Sequence, residues 1–278
     1  MDPLISVVMI DGSFRRRFHA VECFARQECP AGTHEVIWVE HYDRASAELR
    51  VAVRGLPNVE VLALGRSGDY HSSYCFNAGI TAARGELVVI PDGDVVVEAE
   101  FLARLWDLHR DAERLATYCY RYNEPEARRS PEVSLAHLRE VGVMTHPFNW
   151  GGCLAVRRRW LLEVNGYEMH PLFASGDHGN DYDMYVRLKN LGLAICWPRR
   201  PVLYHPWHPG TLRYAHTHRL QALCTEYRSR TLTYLPFNGI DSSSDTPMPG
   251  ALSDELRAAA IELAAAMPER ESPPVLRR

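Results

Sequence analysis

Short apolar runs alternate with helical stretches over the first 90 residues, and this alternation restricts the fold more than any other feature of the sequence. Runs rich in β-branched residues predict strands at residues 5–10, 35–39, 59–64 and 86–90. Strands joined by helices in this way form an α/β sheet that is mostly parallel and has helices on both faces. Ligands of such sheets bind at the carboxyl ends of the strands. The sequence therefore predicts a site at that edge.

Two amphipathic helices are predicted on either side of the fourth strand. Ser72 or Ser73 is the expected N-cap of the first helix, and Gly85 is its expected end. The apolar positions that recur at helical spacing are Phe76, Ile80 and Ala83 in the first helix and Leu102, Leu105, Trp106 and His109 in the second.

Composition argues against several classes of protein. The 278 residues are 46% hydrophobic, enough for a substantial core, and the formal net charge of −4 disfavours binding to nucleic acid. Lys189 is the only lysine, which argues against a phosphate-loop kinase. The seven cysteines include no C-x-x-C pair, and the apolar start of the chain is too short to span a membrane and lacks a basic leader. We therefore expect a protein that works reduced in the cytoplasm, without a membrane span.

The triplet Asp92-Gly93-Asp94 directly follows the fourth predicted strand. Two carboxylates that flank a glycine can both turn toward one hard cation. At the edge of a buried sheet, unpaired charge is costly, which favours a bound cation. The alternative is a solvated turn, because Asp-Gly is a common turn dipeptide.

Further polar candidates lie in the second half of the chain. Asp181 and Asp183 stand in the first turn of a predicted helix, where capping is the interpretation that the residues alone favour. His205 and His208 flank Trp207 after a predicted strand, and imidazole is an acceptable ligand for Mn²⁺, although a single histidine is more often structural.

The segment Trp150-Gly151-Gly152 is a third candidate in this half. Its glycines allow a ligand to approach the backbone closely. Trp150 can stack on a ligand or fill core space.

Taken in order, these pieces resemble the family-2 glycosyltransferases of the GT-A fold over roughly residues 4–210. The matching positions are the first strand, Glu40 after the second, Asn77-Ala78-Gly79, Gly85-Glu86 and Asp92-Gly93-Asp94. Two positions depart from the family pattern. Asp11-Gly12-Ser13-Phe14 replaces Pro-x-Tyr-Asn, and Glu40 replaces an aspartate. Both departures concern the nucleoside pocket, so they leave the identity of the donor open.

The resemblance implies a role for each candidate residue. It implies that Glu40 and the loop from Asp11 to Phe14 face the nucleoside, with Arg66 near the phosphates; a solvated acid and a solvated arginine are the alternatives. Asn77 belongs to the donor side, as do Trp150, Gly151 and Gly152. By the same resemblance, Asp94 is expected to bind Mn²⁺ or Mg²⁺ directly, Asp92 to lie nearer the ribose or a metal-bound water, and one of His205 and His208 to close the metal site. The family's general base toward the acceptor hydroxyl corresponds to Asp181, and Asp183 is the reserve candidate.

The function that the resemblance implies is transfer of a sugar from a nucleotide-diphosphate donor, expected to be a UDP-sugar, to an acceptor hydroxyl of a small molecule, a glycan or a natural product. A single displacement with one base inverts the anomeric configuration. Two other classes stay open. A sugar-phosphate nucleotidyltransferase needs a glycine-rich basic loop after the first strand, which residues 11–17 match poorly, and a noncatalytic sugar-binding protein would bind donor without transfer.

The expected organisation is one domain over residues 1–240. Residues 1–97 form its nucleotide-binding part and the aromatic-rich residues 98–240 its acceptor side. Residues 241–250 are predicted to be a linker rich in serine and proline. Residues 251–278 are predicted to form a helix capped by Ser253 and a frayed tail, and this helix can pack on the domain or form a homo-oligomer.

Overall fold

The computed structural model describes residues 3–29, 34–174, 179–209 and 215–266. The strands are β1 (Ile5–Asp11), β2 (His34–Glu40), β3 (Val59–Ala63), β4 (Leu87–Pro91), β5 (Leu115–Tyr118), β6 (Arg121–Asn123), β7 (Cys153–Arg157), β8 (Ala194–Cys196) and β9 (Leu203–His205). The helices are α1 (His19–Ala25), α2 (Ala47–Ala52), α3 (Ser72–Ala82), α4 (Phe101–His109), α5 (Leu135–Val141), α6 (Arg158–Glu163), α7 (Gly179–Asn190), α8 (Ala215–Thr231) and α9 (Gly250–Ala266). The four predicted strands of the first 90 residues are confirmed as β1 to β4.

Seven of these strands form one sheet in the order β3-β2-β1-β4-β7-β5-β8. The four strands from β3 to β4 are mutually parallel, β7 is antiparallel to both of its neighbours, and β8 is parallel to β5. The predicted mostly parallel α/β fold is therefore confirmed. In the parallel part, Asp11 and Glu40 lie side by side where β1 and β2 end.

Both faces of the sheet are covered by helices. Side chains alternate along β1, so that Val7 packs in a core with Phe24 and Phe101, whereas Val8 packs in a second core with Ile80 and Met184. Helices α1 and α4 cover the first face, and helices α3 and α7 cover the second. This double cover explains why the strands are apolar on both sides.

A short second sheet positions the end of β9. It pairs β6 with β9 in parallel, and Val96 exchanges two backbone hydrogen bonds with Tyr204, at 2.7 and 2.9 Å. Because Val96 is two residues from Asp94, this bridge brings the carboxyl end of β9 to the carboxyl end of β4.

Three predicted helix ends differ from the structure. The N-cap of α3 is His71, and Asn180 Nδ2 instead donates to the hydroxyl groups of Ser72 and Ser73, at 2.6 and 3.5 Å. This tertiary contact uses the oxygens that would have capped the helix. Helix α3 ends at Ala82, and Gly85 lies against β1, where a Cβ would meet the Ser6 nitrogen at 2.5 Å.

The C-terminal helix also begins earlier than predicted. Helix α9 starts at Gly250, so Ser253 lies within its first turn and donates to the Pro249 carbonyl rather than capping the helix. Leu252 and Leu256 pack against Cys224 of α8 in this same chain. Before α9, both backbone groups of Asp241 bind the Asn165 side chain. The predicted tail from residue 268 onward lies outside the described residues.

Within the part of the chain that the structure describes, no helix is both long enough and apolar enough to cross a membrane.

Candidate metal and donor site

Three side chains of the kinds that bind metal ions converge where β4 and β9 end. Nε2 of His205 lies 3.3 Å from Oδ1 of Asp94, and Nε2 of His208 lies 3.3 Å from Oδ2 of the same carboxylate. The two Nε2 atoms are 3.2 Å apart. One candidate ligand atom from each residue lies within 4.8 Å of the others. The structure thus brings both histidines to Asp94, where the sequence left a choice between them.

The electrostatics of this cluster favour an ionised carboxylate. Burial alone would raise the pKa of Asp94, but hydrogen bonds from His205 and His208 and the charge of Arg15 hold it well below its usual value. The same hydrogen bond to Asp94 raises the pKa of His208. One carboxylate oxygen and two imidazole nitrogens form a donor set that suits Mn²⁺ and similar divalent ions.

Arg15 is a site residue that sequence reasoning missed. Its Nη1 donates to the Ile10 carbonyl at 2.8 Å and to Oδ1 of Asp11 at 3.0 Å, and its Nε lies 3.8 Å from Oδ2 of Asp94. A Cβ at Gly93 would lie 2.9 Å from the guanidinium, so a larger residue there would require Arg15 to shift. Arg15 therefore links the ends of β1 and β4. The spacing of Asp11 and Arg15, four residues apart, was the available signal.

His19 also supports the cluster, although no pattern in the sequence indicated this role. Its Nε2 lies 2.9 Å from the backbone carbonyl oxygen of Asp94. The contact spans 75 residues of sequence. It holds the backbone that presents the Asp94 carboxylate.

Asp92 faces a different partner from Asp94. Arg121 Nη1 donates to Oδ2 of Asp92 at 2.5 Å, and the Asp92 nitrogen donates to the Gly152 carbonyl at 3.0 Å. With its amide oxygen turned toward Arg121, Asn149 accepts from Nε at 2.9 Å. Burial raises the pKa of Asp92, and the charge of Arg121 opposes that rise. Arg121 is a third residue that the sequence did not reveal.

Asp181 lies at the start of α7, beside the predicted glycine pair. A Cβ built on Gly151 would lie 2.7 Å from Oδ2 of Asp181. Among the residues that the structure describes, none donates a hydrogen bond to this carboxylate, so no capping contact is seen. Burial, helped by the negative charge of Asp92, raises the pKa of Asp181 to about 7. Such a carboxyl can take a proton near neutral pH.

Aromatic rings surround this carboxyl. The ring of Trp150 lies 4.5 Å from that of Tyr182 and 5.7 Å from that of Tyr185. The Tyr182 side chain is exposed, and no described residue accepts a hydrogen bond from Nε1 of Trp150. The structure therefore places Trp150, Gly151 and Asp181 together.

Glu40 and Asp11 form an acidic pair at the ends of β1 and β2. Oε1 of Glu40 accepts from Nε1 of Trp38 at 2.9 Å, and Oε2 accepts from the Ser13 hydroxyl at 3.1 Å. Burial, followed by the charge of Asp11, raises the pKa of Glu40. Burial likewise raises the pKa of Asp11, although Arg15 opposes this. Arg66 lies outside this pair, with its guanidinium 3.4 Å from the centre of the Tyr74 ring.

Asn77 and Asp183 are engaged elsewhere. Asn77 exchanges two hydrogen bonds with the Tyr167 backbone, at 2.9 and 2.6 Å, and so ties α3 to the segment after α6. Asp183 is fully buried, accepts a hydrogen bond from Arg228 and lies 3.5 Å from Nη1 of Arg187. The structure thus separates the roles of Asp181 and Asp183, since only Asp183 sits in a buried ion cluster.

Comparison with known proteins finds solved structures with a similar fold. No protein-family profile and no curated protein matches the sequence. Among solved structures, S. aureus TarS residues 1–349 in complex with UDP-GlcNAc is similar with a TM-score of 0.59 and 15% identity, over 95% of this chain and 72% of that chain. Mannosyltransferase PcManGT from Pyrobaculum calidifontis, in complex with GDP-Man and Mn²⁺, is similar with a TM-score of 0.52 and 17% identity, over 95% of this chain and 74% of that chain.

The chain has the fold of these glycosyltransferases. At such identities the likeness is one of fold, and the chemistry has to be argued from the residues of this chain.

Proposed function

We propose that this protein is a metal-dependent glycosyltransferase that uses a nucleotide-diphosphate sugar. The observation that carries the proposal is the convergence of Asp94, His205 and His208 at the carboxyl edge of the sheet. Ligands of open α/β sheets bind at this edge. The structural neighbours with this fold include a mannosyltransferase, and two of the neighbours hold UDP-GlcNAc or GDP-Man.

Asp94, His205 and His208 would hold a Mn²⁺ or Mg²⁺ ion. The fit rests on the chemistry of the donor set, because two imidazoles and one carboxylate leave further coordination positions for phosphate oxygens. Such an ion supplies Lewis-acid stabilisation of the charge that develops on a diphosphate leaving group. Arg121 donates a hydrogen bond to Asp92, which supports a position for Asp92 near the ion rather than a role as its direct ligand.

The nucleoside would lie over the ends of β1 and β2. Glu40 and Asp11 are buried there, and their carboxylates can accept hydrogen bonds from a nucleobase N–H or a ribose hydroxyl. We expect a uridine nucleotide. In this arrangement residues 1–97 bind the nucleotide and residues 98–240 supply the acceptor side of a single domain.

Asp181 would act as the general base. Its carboxylate accepts no hydrogen bond from a described residue, lies against Gly151 and has a pKa near 7, so it is free to take the proton of an incoming hydroxyl. Nε1 of Trp150 is available to donate to a sugar hydroxyl. A single base and a direct attack give inversion at the anomeric carbon. The buried contacts of Asp183 with Arg228 and Arg187 argue against Asp183 in this role.

Thermal-unfolding measurements with UDP-, GDP- and TDP-sugars, each in Mn²⁺ and in chelator, test the proposal directly. A bound donor raises the melting temperature, and a ligand at 100 times its dissociation constant adds about 2.7 kcal/mol. We expect a UDP-sugar to stabilise the protein only with Mn²⁺. If none of the three nucleotide classes stabilises the protein under either condition, the proposed function is wrong.

A further inference from the structure

His205 and His208 lie where the backbone pairing of β9 stops. Strand β6 pairs with β9 as far as His205, and the Glu124 nitrogen donates to the His205 carbonyl at 2.9 Å. The next residue is Pro206, which has no N–H and so cannot continue the pairing. His208 therefore lies beyond the end of the paired strand and needs another contact to stay beside Asp94.

A buried carboxylate binds the backbone on the far side of Pro206. Oε2 of Glu124 accepts from the N–H of Trp207 at 2.8 Å. Oε1 accepts from the backbone N–H of Ser130 at 2.8 Å and, with the imidazole proton on Nε2, from His137 at 2.8 Å. The Glu124 side chain is only 2% exposed, so water competes little for these bonds. The carboxylate thus binds the segment at the point where the strand pairing ends.

Glu124 also joins two loops that line one cavity beside the metal ligands, residues 129–131 and 206–209. Its carboxylate binds the backbone of both loops. Arg129 of the first loop places its guanidinium 4.9 Å from the centre of the Trp207 ring in the second. Trp207 is therefore held through its ring as well as through its backbone.

The position of Trp207 matters because this residue lies between two candidate ligands of one ion. Nε2 of His205 and Nε2 of His208 each lie 3.3 Å from an oxygen of Asp94, so a small shift of the segment separates the three groups. An unrestrained segment has to be ordered when an ion binds, and that loss of conformational entropy lowers the affinity. Groups that support metal ligands from outside typically change metal affinity by roughly 10–100-fold.

We propose that Glu124 is a positioning residue of the metal site and fixes the Trp207 backbone so that His205 and His208 reach Asp94 together. Glu124 acts through the backbone and is not itself one of the proposed ligands. The inference rests on the proposed function, since the metal site is the one proposed there.

The test measures Mn²⁺ affinity without nucleotide, from the electron paramagnetic resonance signal of free Mn²⁺. The double variant H205A/H208A gives the binding that lies outside the site. Glu124→Ala should bind Mn²⁺ about tenfold more weakly than wild type or worse, because the Trp207 segment is no longer held. His137→Ala is the matched control, since it removes a donor to Oε1 and leaves the Oε2 contact with Trp207 in place, and it should keep wild-type affinity. Urea unfolding in chelator should show a stability loss in both variants, so the Mn²⁺ affinity separates a positioning role from a purely structural one.

Amide hydrogen exchange in chelator gives a second readout that needs no metal. Peptides that cover residues 203–209 should exchange faster in Glu124→Ala than in wild type or His137→Ala, because the Trp207 N–H loses its acceptor.

Glu124→Gln replaces the alanine variant in both experiments if that variant does not fold. Two donors face Oε1 and one faces Oε2, so we expect the glutamine oxygen to face Ser130 and His137 and its NH₂ group to oppose the Trp207 N–H. This variant keeps the size of the side chain but loses the contact with the segment that carries the histidines.

Two results would overturn the inference. One is wild-type Mn²⁺ affinity in the folded Glu124 variant. The other is unchanged exchange of residues 203–209 in that variant. If wild type binds no more Mn²⁺ than H205A/H208A, the proposed function fails separately, and the exchange measurement still decides whether Glu124 holds the segment that carries the histidines.

Discussion

Oδ2 of Asp181 occupies the space that a side chain on Gly151 would need, since a Cβ there would lie only 2.7 Å away. The glycine after Trp150 therefore does more than loosen the backbone. It lets the carboxyl at the start of α7 reach the residues that precede β7, where the negative charge of Asp92 acts on it. The position of the proposed base depends on the absence of one methyl group.

Gly151→Ala should lower turnover while leaving donor binding nearly intact. The new methyl group displaces the Asp181 carboxylate, and a misplacement of about 1 Å can cost roughly 100-fold in rate. Asp94 and the two histidines are not in contact with this methyl. Steady-state kinetics with calorimetry of donor binding measure both effects. Gly250→Ala, where a Cβ meets nothing within 4 Å, is the control and should be silent. Unchanged turnover in Gly151→Ala would remove Asp181 from the reaction.

Activity should fall as the pH drops below about 7, because the base has to be deprotonated and the pKa of Asp181 is about 7. Burial is the main cause of that raised pKa, and the charge of Asp92 adds to it. Asp92→Asn removes the charge, so the acidic limb of the kcat/KM profile should move to lower pH even if the maximal rate falls. A limb that stays in place in this variant would show that the titrating group is not Asp181.

Asp181→Asn should stabilise the protein at alkaline pH. The pKa of Asp181 is raised in the folded protein above the ordinary value of about 3.9, so the folded state binds more protons than the unfolded state between these values, and the free energy of unfolding falls as pH rises through about 4 to 7. The asparagine side chain does not titrate, so the variant does not lose this free energy of unfolding as the pH rises. Urea unfolding in chelator should show the variant gaining roughly 1–3 kcal/mol over wild type at pH 8 relative to pH 5. A stability difference that is independent of pH would contradict the buried-carboxyl interpretation.

Asp183→Asn should act on stability rather than chemistry. Its carboxylate is buried with Arg228 and Arg187, and loss of one partner from a buried ion pair costs about 3–5 kcal/mol. We expect a large drop in the free energy of unfolding by urea and near-normal turnover in the folded fraction. If stability is unchanged and turnover falls as far as in Asp181→Asn, Asp183 is the base instead.

The parts of the structure that the sequence predicted are those that depend on local pattern. Strands β1 to β4 are recognisable in the sequence as runs of apolar residues. Asp94 was recognisable as a candidate ligand because its triplet directly follows such a run. The sequence named His205 and His208 as candidates but gave no choice between them, and the bridge between Val96 and Tyr204 brings both to Asp94.

The missed features depend on contacts between distant parts of the chain. Arg121 binds Asp92 from 29 residues away, and Asn77 reaches Tyr167 across 90 residues. A motif assigned Asn77 to the donor side, whereas its amide joins two elements of the second core. Asp181 and Asp183 have the same local context in the sequence. Only tertiary packing distinguishes them, since it places Asp181 against a glycine and Asp183 among arginines.

The most direct test of the central claim is donor binding by a protein that lacks the two histidine ligands. A UDP-sugar is titrated calorimetrically into wild type, into the double variant H205A/H208A and into His34→Gln, whose side chain lies at the amino end of β2, away from the site. Wild type and His34→Gln should bind with Mn²⁺ and lose the donor in chelator. The double variant should bind about tenfold more weakly or worse in Mn²⁺. Equal affinity in the double variant and wild type, or wild-type binding that chelator does not weaken, would contradict a metal-held diphosphate at Asp94, His205 and His208.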